Sequence, residues 1–447
     1  GIPAWRVMSA YANWYALLKS SWHSALVSVA AQTCIVLAVV LAGRGLGPTS
    51  YGQIAAISAF YGWFTLLAGY ATHIRLPRIM ADPQERNEMK HAACATSFWL
   101  AVCLILLGSA AALALLPIGL HRLGCPELYP VALLYVVVFA LAQLRVSLDA
   151  ISQSAGWLRQ WSVSNLVGTL LPVVFIAAFF CSHAHLTPWR YMVLLALATT
   201  VGTAVSLVIF FAKLGGWRQC RLRRALLRPF LSAGAGPWLA LLSNVLLLFG
   251  VQTIIAAHCS SRALGYYSTI TALSTWVVNI LGVSLSIPAL SEWSQLATSG
   301  RLPELRHDFR RRQLATIVVL GSIAIFPLMW PEKIIQCLYG TQYLPSAPLL
   351  RIICLNWIIS GAGCWYMSCM YALGHPWRVA IPNLAVALPT VVLTDIVVTQ
   401  TRFGLAGVVA VGVITMLAWL GTYEWNFRQA MNSECRAVIA HAPVREC

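Results

Sequence analysis

From residue 21 to residue 424 the sequence moves through one apolar, nearly uncharged run after another, each about twenty residues long. A helix of ~20 apolar residues is what crosses the ~30 Å hydrocarbon core of a bilayer. Twelve such runs are read near 21–42, 52–72, 92–117, 130–149, 164–182, 191–212, 230–257, 264–286, 314–331, 348–370, 379–399 and 404–424. In hydrocarbon every backbone N–H and C=O must find its partner within the protein, and a helix supplies it from its own chain. A β-barrel would alternate over ~10-residue segments, so the unbroken runs exclude it. Charged residues make up 10% of the chain, against roughly 25% in a soluble domain. The expectation is an all-α integral membrane protein of about 12 transmembrane helices, with no separate water-soluble domain. Pro172, Pro382 and Pro389 fall inside the fifth and eleventh runs and predict kinks, which neighbouring helices make tolerable.

The 30 Lys and Arg residues divide unevenly between alternate connections. The N-terminus, the connections 73–91, 145–163, 213–229 and 292–313, Arg378 and the tail carry 23, and the opposite set carries seven. Basic loops stay cytoplasmic, so both termini are expected in the cytoplasm and the number of spans is expected to be even. The same distribution explains the net charge of +17. The cations flank membrane spans, which argues against nucleic acid as a partner and for contact with anionic membrane lipids. Residues 1–20 lack the pattern of a cleavable signal. Trp5, Met8, Trp14 and Tyr15 among polar residues predict instead a helix lying in the cytoplasmic interface.

Two stretches recur at nearly constant offset. Leu46-Gly47-Pro48-Thr49-Ser50-Tyr51-Gly52 leads into the second span, and Ser261-Arg262-Ala263-Leu264-Gly265-Tyr266 leads into the eighth about 213 residues later. Gly156-Trp157-Leu158-Arg159 with Asn165 and Pro172, and Gly374 through Arg378 with Asn383 and Pro389, do the same for the fifth and eleventh at an offset of 218. Such recurrence is the mark of an internal repeat. It divides the chain into an interfacial segment (1–20), a six-helix N-terminal half (21–212), a basic linker (213–229), a six-helix C-terminal half (230–424) and a cytoplasmic tail (425–447). Halves with an even number of helices insert as parallel repeats, and in transporters of that build the substrate path runs between them.

Chemical sites are missing from the sequence. It holds no Walker A loop, no H-E-x-x-H and no paired metal spacing, so neither a cofactor nor a metal is expected. The run Gly43-Arg44-Gly45-Leu46-Gly47-Pro48 lacks the third glycine and the preceding strand of a nucleotide loop, and it reads as a turn. The 13 cysteines form no C-x-x-C and read as small packing residues; Cys125, Cys259 and Cys337 approach the outer face, where a disulfide stays open. With 13 acidic residues in all and short outer connections, catalysis is not expected.

Several of these segments together resemble Wzx-type polysaccharide flippases. The run from Gly43-Arg44 through Gly52 is similar to their R-x-L-G-P-x-x-Y-G connection between the first two helices. Val251 to Ile255 with Ala263 to Ser268, Leu338 to Arg351, and Arg402-Phe403-Gly404-Leu405-Ala406-Gly407 resemble their seventh-to-eighth helix region, the loop before the tenth helix and the start of the twelfth. The resemblance implies membership of the multidrug/oligosaccharidyl-lipid/polysaccharide exporter superfamily. It further implies an undecaprenyl-pyrophosphate-linked oligosaccharide as cargo, flipped to the periplasmic leaflet of the bacterial inner membrane for O-antigen, capsule or exopolysaccharide assembly. The polysaccharide polymerase and chain-length machinery are the implied protein partners. One departure is Gln252, where the relatives commonly carry an acid.

A path for such a cargo needs polar walls and some positive charge. Polar residues recur at helical spacing on the first (Ser24, Ser28, Gln32), second (Ser58, Tyr61, Thr65), seventh (Asn244, Gln252) and eighth spans (Tyr267, Thr271, Thr275, Asn279). The same groups serve equally well as hydrogen bonds between packed helices. His73, Arg75 and Arg78 follow the second span, where cations meet a pyrophosphate or merely set topology. Charges inside spans are expensive. Asp149, four residues from Arg145, and Asp395 near an outer helix end are therefore the candidates for proton coupling, with an ion pair and simple hydration as the alternatives. A MATE-like cation-coupled multidrug antiporter is the alternative function, since it shares the twelve-helix plan.

Overall fold

The computed structural model describes residues 4–70, 76–81, 86–181, 185–217, 220–375 and 377–441. Among them helices alone occur, with no strand. The first, α1, runs from Ala4 to Ala68 and is broken at Gly47, whose φ of 73° only glycine adopts without strain. Pro48 then opens the second limb, where a missing N–H costs nothing. Leu26–Ala68 alone would measure ~65 Å as one straight helix, twice the hydrocarbon core, so the two limbs are separate spans. The rest of the N-terminal half is the short α2 (Leu76–Ala81), then α3 (Asn87–Arg122), α4 (Tyr129–Ser154), α5 (Leu158–Cys181) and α6 (Pro188–Lys213).

The C-terminal half begins with α7 (Arg224–Val245), which continues through one π turn at Leu246–Gly250 into α8 (Val251–His258). It goes on through α9 (Ser261–Thr298), α10 (Leu302–Met329), α11 (Pro331–Tyr339), a 3₁₀ turn at Thr341–Ser346, α12 (Ala347–Ile353), α13 (Leu355–Ala372), α14 (Trp377–Gln400) and α15 (Gly404–His441). Nine helical stretches among the described residues are long and apolar enough to cross a membrane, ten with the pair around Cys354 that is bent by 47°. The two limbs of α1 and the 38-residue α9 bring the total to the expected twelve. The protein is a multi-pass membrane protein of two six-span halves.

Several predicted connections are shorter than the sequence suggested. The predicted connection 145–163 shrinks to a turn at Gly156 (φ 76°), so Arg145 lies inside α4 and not in a loop. Likewise α9 reaches Thr298 and α10 starts at Leu302 around Gly300, which makes Arg310, Arg311 and Arg312 helical. Helix α7 starts at Arg224 inside the predicted linker, and α15 runs past 424 to His441. Both proline-bearing runs are continuous helices, α5 and α14.

Packing divides the apolar core by face. On the face away from the termini, one cluster joins both halves: Val36, Val40, Ala55 and Ala56 of α1 meet Ile255 of α8, Leu264, Ile270, Leu273 and Val277 of α9, and Tyr339 and Tyr343. On the face bearing the termini the cores stay apart. One cluster, around Trp293, Phe309, Trp365 and Phe427, belongs to the C-terminal half. The other, around Phe98, Ile151 and Phe210, belongs to the N-terminal half and takes in Phe230 at the start of α7.

Candidate functional site: the seam between the halves

The second limb of α1 and the first turns of α9 are the repeat-related segments noted above, and they meet each other. A methyl built on Gly52 would overlap the carbonyl oxygen of Ser261, and one built on Gly265 would overlap that of Pro48. Gly52 and Gly265 are equivalent in the repeat, as are Pro48 and Ser261, so the contact is reciprocal about a pseudo-twofold axis. Backbones approach this closely only where side chains are absent. Above the crossing sits a clasp formed by α11 and the 3₁₀ turn. The Tyr343 hydroxyl donates to Gly43 O at 3.0 Å, the Tyr339 ring packs on Gly43, and Gln342 Nε2 reaches Arg44 O at 3.4 Å. The resemblance singles out this stretch, and its hydrogen bonds to Gly43 and Arg44 show that it bridges the halves.

Below the crossing, α1 runs along α7 and α8. Trp63 Nε1 donates to Thr253 Oγ1 at 3.1 Å, and the Phe249 ring, offered by the π turn, fills the space over Gly62. Nearer the termini, Trp238 Nε1 donates to Leu66 O at 2.7 Å and the Tyr70 hydroxyl donates to Leu231 O.

The predicted path residues distribute as follows. Gln32, Gln252 and Asn279 are half-buried on α1, α8 and α9, and Asn244 is exposed on α7. Tyr61 is fully buried and its hydroxyl is spent on Ala132 O at 2.8 Å, so it packs behind the wall and does not line it. Thr65 and Thr271 bond their own helices, Thr65 to Gly62 O and Thr271 to Tyr267 O. His73 and Arg75 lie outside the described residues; Arg78 falls on α2, and its side chain is not described.

The two candidate carboxylates occupy unlike places. Asp149 lies inside the N-terminal half, 3.9 Å from Arg145 and accepting from the Ser164 hydroxyl at 3.1 Å. Ser164 in turn meets Ser206 of α6 at 2.5 Å. The Arg145 guanidinium lies where a methyl on Gly168 would sit, with Gly202 beside it. Asp395 is about half exposed at the end of α14 away from the termini, 3.6 Å from His258 Nε2.

One charged cluster was missed from sequence. At the terminus face of the C-terminal half, Glu424 of α15 takes Arg310 of α10, Arg428 and the Tyr366 hydroxyl, while Arg312 holds Glu292 and Asp308. The i,i+4 pairs Asp308–Arg312 and Glu424–Arg428 were the available signal. Among the described residues no group of His, Cys, Asp and Glu is placed to hold a metal, and Cys125, Cys259 and Cys337 are free.

Two six-span halves meeting along such a seam define a class of fold, that of membrane transporters built as two parallel halves. The chain belongs to the polysaccharide biosynthesis protein family, which matches it over residues 17–294. Among solved structures it is similar to one described as the inward-facing conformation of a multidrug resistance MATE family transporter of the MOP superfamily. The two are 16% identical with a TM-score of 0.75, over 92% of this chain and 99% of that one. An outward-facing conformation of such a transporter gives 15% and 0.69, over 94% and 97%. A MOP superfamily transporter from Pyrococcus furiosus Vc1, described as having a binding pocket of reverse polarity, also gives 15% and 0.69, over 94% and 96%. At these identities the likeness establishes the fold. Among curated proteins no sequence match is found.

Proposed function

We propose that the protein flips an undecaprenyl-pyrophosphate-linked oligosaccharide across the bacterial inner membrane, from the cytoplasmic to the periplasmic leaflet, by alternating access. The observation that carries this reading is the seam: the two halves share a core at one face and keep separate cores at the other. With the basic loops and both termini in the cytoplasm, the shared face is periplasmic and the conformation faces inward. The higher TM-score to the inward-facing neighbour, 0.75 against 0.69, accords with this. Family membership supplies the polysaccharide. His73, Arg75 and Arg78, at the cytoplasmic end of the second span, are the cations offered to the pyrophosphate; the polymerase and chain-length machinery are the proposed recipients. Asp149 and Asp395 are the carboxylates offered for proton coupling.

The antiporter reading draws on the same fold. Against it, Asp149 is the one acid within the predicted spans of the N-terminal half, where antiporters of that type usually keep the acids that exchange cations. Deleting the gene separates the two. A flippase leaves undecaprenyl-linked oligosaccharide accumulating on the cytoplasmic side and surface polysaccharide lost. Intact surface glycan with raised drug sensitivity would sink the proposal.

A further inference from the structure

The chain leaves α6 at Lys213 and doubles back through Gly215 and Gly216, whose φ of 78° and 106° other residues rarely adopt. The reversal lands the Trp217 ring on Phe211, with centroids 4.7 Å apart, and edge-on to Trp99 of α3 at 5.4 Å. Trp99 Nε1 donates to Cys220 O at 2.9 Å, the Arg223 amide donates to Thr96 Oγ1 at 3.0 Å, and Arg223 Nη1 lies 3.7 Å from Met89 Sδ. The start of α7 follows, with Leu226 and Phe230 packed into the core of the N-terminal half. The segment that joins the halves is thus a shelf fixed on α3.

What the shelf turns outward is one-sided. Residues 213–229 carry Lys213, Arg218, Arg221, Arg223, Arg224 and Arg228 and no acid. Lys213, Arg221, Arg223, Arg224 and Arg228 are exposed, and among the described residues none of them meets a carboxylate; Glu88, next to Met89, is exposed as well and pairs with none of them. The basic end of the C-terminal half is built differently. There Arg301, Arg310, Arg312 and Arg428 are each held by a carboxylate, and only Arg306 and Arg311 of α10 stand bare among the described residues.

Between the shelf's cations stand two large apolar side chains, Trp217 at 59% and Leu222 at 40% exposure. Both lie in the short segment between two membrane helices, at the depth of the bilayer surface. An indole and a leucine beside guanidiniums are what that surface takes: the apolar groups enter the boundary of headgroups and acyl chains, and the cations stay at the phosphates. The planar guanidinium also holds two phosphate oxygens at once. A soluble anion would use the arginines and ignore Trp217 and Leu222, and a zwitterionic headgroup brings a cation of its own.

We propose that this shelf docks anionic phospholipid headgroups of the leaflet at the terminus face, with Arg221, Arg223, Arg224 and Arg228 on the phosphates and Trp217 and Leu222 seated beneath them. The proposal is independent of the cargo. Because the shelf is bonded to α3, the lipid holds the N-terminal half at the membrane surface.

The test places the purified full-length protein in phosphatidylcholine nanodiscs with increasing phosphatidylglycerol and reads the melting temperature, which a lipid bound to the folded state raises. The native protein is expected to melt higher as phosphatidylglycerol is added, less so in high salt, and not to respond to soluble glycerol phosphate. The variant Arg221→Gln, Arg223→Gln, Arg224→Gln, Arg228→Gln is compared with itself in pure phosphatidylcholine, so that a general loss of stability cancels. Its affinity for the anionic lipid is expected to fall by about five-fold per arginine removed. Arg306→Gln with Arg311→Gln is expected to keep the native response. If the quadruple variant does not fold, Arg224→Gln with Arg228→Gln is read in the same way. An unchanged response in the shelf variant, an equal loss in the α10 variant, an equal rise with soluble glycerol phosphate, or no response by the native protein overturns the proposal. The deletion strain speaks to the cargo alone, so the flippase reading and the lipid shelf fail separately.

Discussion

A guanidinium and a carboxylate at the middle of a helix bundle have to be explained by what surrounds them. Arg145 and Asp149 are each less than one-fifth exposed, and a charge at the bilayer centre costs ~2.5–3.5 kcal/mol on insertion scales. The pair is accommodated because Gly168 and Gly202 leave room for the guanidinium and Ser164 donates to the carboxylate. Removing one partner of such a pair strands the other, at roughly 3–5 kcal/mol, while replacing both with apolar residues is often neutral. Asp149→Ala is therefore expected to lower the unfolding midpoint in detergent sharply, and Arg145→Met with Asp149→Leu to restore most of it. The same double variant decides the role of Asp149. A structural pair predicts that flipping survives in the double variant, whereas a coupling carboxylate predicts a stable protein that no longer transports. Gly168→Val, which claims the space of the guanidinium, is expected to behave like Asp149→Ala.

At the scale of elements, the crossing of α1 and α9 shows what a repeat does for a seam. Because Gly52 meets Ser261 O and Gly265 meets Pro48 O, each glycine is required for the same approach seen from opposite sides. Gly52→Val and Gly265→Val are expected to have matching effects: the closure at the face away from the termini is forced apart and transport fails while the protein still reaches the membrane. Cysteines placed at Arg44 and Gln342, with the native cysteines replaced, should cross-link in the parent and much less in either variant. Much of this level was legible in the sequence. The twelve spans, the break at Gly47 and the repeat all appear as local patterns of apolar runs, glycine and proline. What was not legible depends on neighbours. The count of basic residues assigns Arg145 to the connection 145–163 although the apolar run reaches 149; the glycines that admit it inside the bundle lie on two other helices. The π turn at Leu246–Gly250 has no sequence signature of its own, and neither does the burial of Tyr61 behind Tyr135. The clasp was visible as a motif but not as a bridge.

For the whole molecule, alternating access requires that some contacts between the halves break while others persist. The seam contains both kinds. The closure at the face away from the termini consists of a glycine crossing, the apolar cluster the two halves share and a clasp of a few hydrogen bonds, none of them an ion pair. The contact of α1 with α7 and α8 is tied over the last turns of α1, at Trp63–Thr253, Leu66–Trp238 and Tyr70–Leu231. That line is the natural axis about which the halves rock: it lies at the seam, and α7 packs on the N-terminal half at its start and on α14 further along. Covalent restraint distinguishes an axis from a gate. A disulfide or short cross-link between Trp63→Cys and Thr253→Cys is expected to leave flipping largely intact. The same restraint between Arg44→Cys and Gln342→Cys is expected to stop it, with recovery on reduction. Loss of transport in both would mean that α7 and α8 move away from α1 during the cycle, and the axis would have to be sought elsewhere in the bundle.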